Sequence, residues 1–279
     1  MRIVDTHQHL WELDRFQYSW TSGLPVLNRS FNLDDYRQAV AGTDVSKAIF
    51  MECDVDAPHG LEEARWAQLL AEENPLIAGI VATASFESED FSGQLNRLLR
   101  LSKLRGLRRV LHTQDDGFSQ SSTFRNNLRE LPQHGLVFDL CVLSRQLPVA
   151  VELVKACPEV SFVLDHCGVP DIKGGAFESW SLQLSELSQC ANVVACKVSG
   201  LVAYVDRENW NVDTLRPWFD RVVELFGWDR LVWGGDWPVC TVTTDLKTWL
   251  ETSKELCSGA SDSELSKLYY QNAERIYRV

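Results

Sequence analysis

The sequence predicts one (β/α)8 TIM barrel domain spanning residues 1–279, and three observations carry that expectation. Eight apolar, β-rich runs recur along the chain, and helix-period segments lie between them. The spacing repeats at very roughly 30 residues, which an eightfold barrel of about 250 residues requires. Most runs are continuously hydrophobic, as parallel strands covered on both faces are. A doubly wound open sheet is the competing fold. That fold usually places a glycine-rich phosphate turn after its first strand, whereas this one ends in His7-Gln8-His9-Leu10-Trp11.

The runs cover residues 2–9, 47–53, 76–84, 106–112, 136–142, 161–167, 192–199 and 230–236. Asn32, with Asp34 and Asp35 after it, opens the first helix. Weaker helical patterns cover 61–73, 91–101, 123–131, 148–157, 178–190 and 245–256. The clearest helix carries Leu215, Trp218, Phe219, Val222, Val223 and Phe226 at i, i+3, i+4, i+7 spacing. A final helix repeats this with Leu265, Leu268, Tyr269, Ala273 and Ile276, and Ser261 with Glu264 forms a capping box at its start. Residues 11–31, rich in aromatics, read as a loop over the barrel mouth. There is no linker or low-complexity tract.

Basic residues number 27 and acidic ones 39, a net charge of −12 that offers no general positive surface for phosphates or anionic lipid. Nucleic acid and membrane partners are therefore not expected. No apolar stretch reaches the ~20 residues of a membrane span, and the start shows no signal-peptide pattern, so a cytoplasmic location is expected. The eight cysteines form no CxxC pair, and Cys141, Cys167 and Cys196 sit in or beside apolar runs, as reduced core thiols do. A homo-oligomer is compatible with the sequence.

In a barrel the strand C-termini share one face, so polar residues there converge. They are His7 and His9, Glu52, Arg108 and His112, His166, Lys197 and Ser199, and Asp236. Strand alternation points His7 and His9 the same way, with Ile3 and Asp5 below them. Two adjacent imidazoles suit a metal or a proton; one of them capping the strand is the plainer alternative. The same parity groups His166 with Leu164 and Phe162, Asp236 with Val232, Lys197 with Ala195, and Arg108 with His112. It turns Asp165 and Arg109 toward the helices as structural ion pairs. Charges such as Lys197 and Arg108 inside an apolar barrel are costly unless paired or used. His59 and His134 read as surface residues. Asp236 lies in Gly234-Gly235-Asp236-Trp237-Pro238, where glycines permit a tight turn and proline ends the strand. A turn aspartate bonding its own backbone is the other reading.

Asp5-Thr6-His7-Gln8-His9, Asp165-His166-Cys167-Gly168 and Gly235-Asp236-Trp237-Pro238 resemble the amidohydrolase superfamily (amidohydrolase family 2), in its lactonase branch. Residues 9–20, Arg105-Gly106-Leu107-Arg108, Lys197-Val198-Ser199-Gly200 and Asn272-Ala273-Glu274-Arg275 are similar to the L-fuconolactonase-like group. The resemblance implies hydrolysis of a sugar lactone to its hydroxy acid. Asp236 would be general base, His166 and Arg108 would hold the oxyanion, and Lys197 would assist that charge or bind a hydroxyl. Glu52, Tyr18, Trp20, His112 and Tyr204 would bind substrate. His7, His9, His166 and Asp236 would make an N3O set for one divalent metal, zinc first, though family members differ in metal dependence.

The alternatives are a 2-pyrone-4,6-dicarboxylate-type lactonase, a metal-dependent decarboxylase of the same superfamily, and a non-catalytic sugar-binding barrel. A dianionic pyrone calls for several arginine forks, and Arg108 is the one arginine placed inward at a strand end, with Arg15, Arg145 and Arg207 in loops.

Overall fold

A computed structural model describes all residues, 1–279. Eight parallel strands follow one another around a barrel in sequence order: β1 (Ile3–Gln8), β2 (Val45–Met51), β3 (Ile77–Thr83), β4 (Leu104–Arg108), β5 (Val137–Leu140), β6 (Phe162–Leu164), β7 (Val193–Val198) and β8 (Leu231–Trp233). The ring closes between β8 and β1 just past the strand ends. There Asp236 N–H donates to His7 O, and His9 N–H to Trp237 O, both at 2.8 Å.

Each strand is followed by a helix: α1 (Leu33–Val40), α2 (Gly60–Glu73), α3 (Phe91–Leu98), α4 (Ser122–Leu128), α5 (Leu147–Ala156), α6 (Phe177–Ser188), α7 (Val212–Phe226) and α8 (Leu246–Leu256). Asn32 Oδ1 accepts from the Asp34 and Asp35 amides at 3.0 Å, which stops α1 from fraying where its first N–H groups lack partners. No helix is long and apolar enough to cross a membrane. All eight cysteines are free and buried.

Two cores result from strand alternation. Val4, Ile49, Met51, Val81, Val163 and Val232 fill the barrel, while their neighbours Ile3, Phe50 and Phe162 join the larger core shared with the helices. The last helix pattern becomes α9 (Asp262–Ser266), a π-helical turn (Lys267–Gln271) and α10 (Asn272–Tyr277). Ala273, Ile276 and Tyr277 pack onto the inner core, so the C-terminus plugs the barrel floor.

Strict alternation fails at the two places that matter most. On β1, Asp5 pairs with Ala48 but Gln8 with Phe50, so three residues of one strand oppose two of the other. Asp5 therefore faces α1, where Tyr36 Oη–H donates to its Oδ2 at 2.8 Å, and His7 turns into the barrel. On β6, Phe162 and Leu164 belong to the outer core; His166 (φ 51°) and Cys167 (φ 55°) then take the left-handed conformation. Asp165 follows Val163 inward, which corrects the expected outward placement, and the turn brings His166 to the mouth. Arg109 does pair outside the barrel, with Glu87 Oε1 at 3.0 Å.

Residues 11–31 fold over the mouth as expected. The Trp11 and Phe31 backbones bond each other, at 3.0 and 2.8 Å, and Trp11, Phe16, Tyr18 and Phe31 form a buried aromatic knot.

Candidate active site

Beneath the mouth lies a dry floor of paired charges. Lys197 Nζ lies against Asp139 Oδ1 (2.5 Å), Asp165 Oδ1 (3.1 Å) and His7 Nδ1 (3.2 Å), a buried ammonium paired with two carboxylates. The Tyr277 hydroxyl of α10 donates to Asp139 Oδ1 at 2.7 Å, tying the C-terminal plug to this cluster. Arg108 gives Nε–H to Glu52 Oε1 (2.5 Å), one Nη2–H to the Glu52 carbonyl (2.7 Å), and Nη1–H to Asp165 Oδ2 (3.2 Å) and toward His7 Nε2 (3.4 Å). Of its five N–H groups one remains free. Burial alone would raise the Asp165 carboxyl, but Lys197, His7 and Arg108 outweigh it and hold the group well below the usual carboxylate range.

Above this floor sit three imidazoles and Asp236. Burial, then Lys197, holds His7 well below its ordinary pKa, and burial, then Arg108, takes His9 to about 3. Burial also lowers His166, so all three rings are neutral near pH 7 with nitrogen lone pairs available. His9 Nδ1 meets the Met51 carbonyl at 3.0 Å, and His166 Nδ1 meets Ser199 Oγ at 2.9 Å. Asp236 takes the left-handed conformation (φ 51°) at the Gly234-Gly235 turn, where the backbone packs too tightly for larger residues: a Cβ on Gly234 would lie 2.8 Å from His7 Cβ. Its oxygens approach imidazole nitrogens only at 3.6–4.0 Å, from His9, His7 and His166. Burial pushes the Asp236 carboxyl up to about 6, with His166 and Arg108 restraining the rise. A carboxylate so weakly held is able to exchange a proton.

A cavity of about 260 Å³ opens over these groups. Of the expected residues, His9, Trp20, Arg108, His112, His166, Tyr204 and Asp236 line it. Three expected roles are corrected. Lys197 is wholly buried below His7, ion-paired with Asp139 and Asp165, and does not line the cavity. Glu52 is equally buried and serves Arg108. Tyr18 points away from the mouth into the core, its hydroxyl donating to Glu63 at 3.0 Å. Sequence reasoning also missed the contributions of Asp139, Tyr277 and Asp54. Asp139 sits mid-strand and Tyr277 at the far end of the chain, and no local signal marks either.

His7, His166 and Asp236 present donor atoms within 4.8 Å of one another. Two neutral imidazoles and one carboxylate with room for further ligands make a donor set that fits one divalent ion. His9 Nε2, the fourth expected donor, stands beside this group, 3.6 Å from Asp236 Oδ1.

A family model described as amidohydrolase matches residues 4–279. The chain is 28% identical to an L-fucono-1,5-lactonase of Burkholderia ambifaria, over 99% of this chain and 95% of that protein. It is 23% identical to an L-rhamnono-gamma-lactonase of Scheffersomyces stipitis, over 100% and 99%. A crystal structure of an amidohydrolase from Burkholderia multivorans with bound zinc is similar at 26% identity and a TM-score of 0.91, with both chains fully covered.

Proposed function

The chain belongs to the amidohydrolase family, and from that premise we propose that it hydrolyses a neutral sugar lactone to the corresponding hydroxy acid, with Asp236 as general base. The carrying observation is Asp236 itself, a loosely partnered carboxylate between His9 and His166 in a cavity of about 260 Å³, a size suited to one sugar ring. The lactonase names of two full-length relatives support the same reaction class.

In this reading Asp236 takes a proton from water as the oxygen attacks the lactone carbonyl carbon. The carbonyl π electrons move to oxygen, and the free Arg108 N–H donates to that oxyanion. With no ion bound, His166 Nε2, which has no protein partner, donates as well when it carries the ring proton; with an ion on that ring, Arg108 holds the oxyanion without it. Collapse re-forms the carbonyl and breaks the acyl C–O bond. The protonated Asp236 then returns its proton to the departing ring oxygen. A divalent ion on His7, His166 and Asp236, zinc by analogy with the similar Burkholderia structure, would supply Lewis-acid polarisation of the carbonyl.

A pyrone dicarboxylate is less well served. Arg108 keeps one free N–H, Arg15 pairs with Glu12 and Arg145 with Asp116, and Arg207 lines a neighbouring groove. The test is acid release, followed by a pH indicator, from a panel of aldonolactones and 2-pyrone-4,6-dicarboxylate, using chelator-treated and zinc-reloaded protein. Acid release above the spontaneous rate from a neutral aldonolactone is expected. Release from the dicarboxylate alone, or from nothing, overturns the proposal.

A further inference from the structure

Asp54 lies just past β2, at the edge of the cavity, and nothing in the proposed reaction uses it. It is half-buried and takes φ 50°, an uphill backbone conformation for a residue with a Cβ. Glu52 imposes the bend: Glu52 Oε2 accepts the Asp54 N–H at 2.7 Å while its Oε1 holds Arg108. One buried carboxylate thus sets both the Arg108 guanidinium and the Asp54 turn.

The Asp54 carboxylate has no hydrogen-bond or ion-pair partner in the chain. The nearby cations are committed, Arg108 to Glu52 and Asp165, and Arg109 to Glu87. Its neighbour Asp56 shows the contrast, since Ser19 N–H donates to Asp56 Oδ1 at 3.0 Å and the Ser19 hydroxyl also bonds that carboxylate. Asp56 therefore ties down the loop, whereas Asp54 and Asp236 are the two carboxylates lining the cavity. A strained, unpartnered acceptor at the rim suits a ligand that brings hydrogen-bond donors.

Building on the lactone reading, we infer that Asp54 is a specificity residue whose carboxylate accepts hydrogen bonds from substrate hydroxyls. It selects polyhydroxylated neutral lactones and repels those bearing a carboxylate. Truncation should remove charge-assisted hydrogen bonds and lower the preference for hydroxylated rings by roughly 10- to 100-fold.

Two variants suit the left-handed backbone: Asp54→Asn removes the charge, and Asp54→Gly removes the side chain. The measurement is the ratio of kcat/KM for a six-carbon 1,5-aldonolactone over that for δ-valerolactone, with thermal unfolding to verify folding. The inference expects this ratio to fall in both variants, more in Asp54→Gly, chiefly through KM for the hydroxylated ring. A ratio within twofold of wild type in folded Asp54→Gly overturns it while leaving the lactonase reading intact. If wild-type protein opens neither lactone, the lactonase reading fails and this inference falls with it.

Discussion

Beneath His7, the ionic groups Lys197, Asp139, Asp165 and Glu52 are wholly buried, and each has an oppositely charged partner within 3.2 Å. At the mouth above them, Asp236 has nothing closer than 3.6 Å among its imidazole neighbours, and the Asp54 carboxylate has no partner. Both regions contain carboxylates close to basic groups, yet they suit opposite tasks. Short, buried pairs lock a charge in place, because losing one partner strands the other in a low-dielectric interior. A carboxylate with long contacts keeps its lone pairs for water or substrate, and burial makes its proton easier to retain.

The contrast breaks most sharply at Asp236. Asp236→Asn keeps the shape and removes the base, so lactone turnover should fall about 10²- to 10⁴-fold, the usual worth of general base catalysis, with little change in thermal unfolding. Full activity in that variant would place the chemistry elsewhere.

Lys197→Met inverts the pattern by attacking the floor. Asp139 and Asp165 lose their shared cation, so urea denaturation should show a loss of about 3–5 kcal/mol. A loss below about 1 kcal/mol would show that the floor does not depend on this pairing.

The smallest effect sharpens the comparison through pH. In metal-stripped enzyme, kcat/KM should fall about tenfold per unit below about pH 6, because burial raises the Asp236 carboxyl to about 6 and protonation removes the base. The sign follows from the ionised form being the active one. A limb near the ordinary carboxylate value would mean that Asp236 is solvated in solution.

Much of the fold was legible because hydrophobic period is a local property. The eight runs became the eight strands, and Asn32 and Ser261 cap helices where the capping pattern predicts them. The convergence of His7, His166, Arg108 and Asp236 followed from one rule, that barrel strands end on a common face. Residue roles were less legible. Tyr18 and Glu52 were expected to face substrate, but their hydrogen bonds run to Glu63 and Arg108.

The sequence by itself determined the barrel, its order of strands and the set of polar residues at its mouth, because burying both faces of a parallel strand dictates composition residue by residue. Only the tertiary structure decided which of them stay free. A bulge in β1 and left-handed turns at His166 and Asp236 override the period-2 parity, and the partners of Lys197, Asp139 and Tyr277 come from three distant parts of the chain. Ion pairing depends on distance and burial in the folded molecule, and neither is written in local spacing.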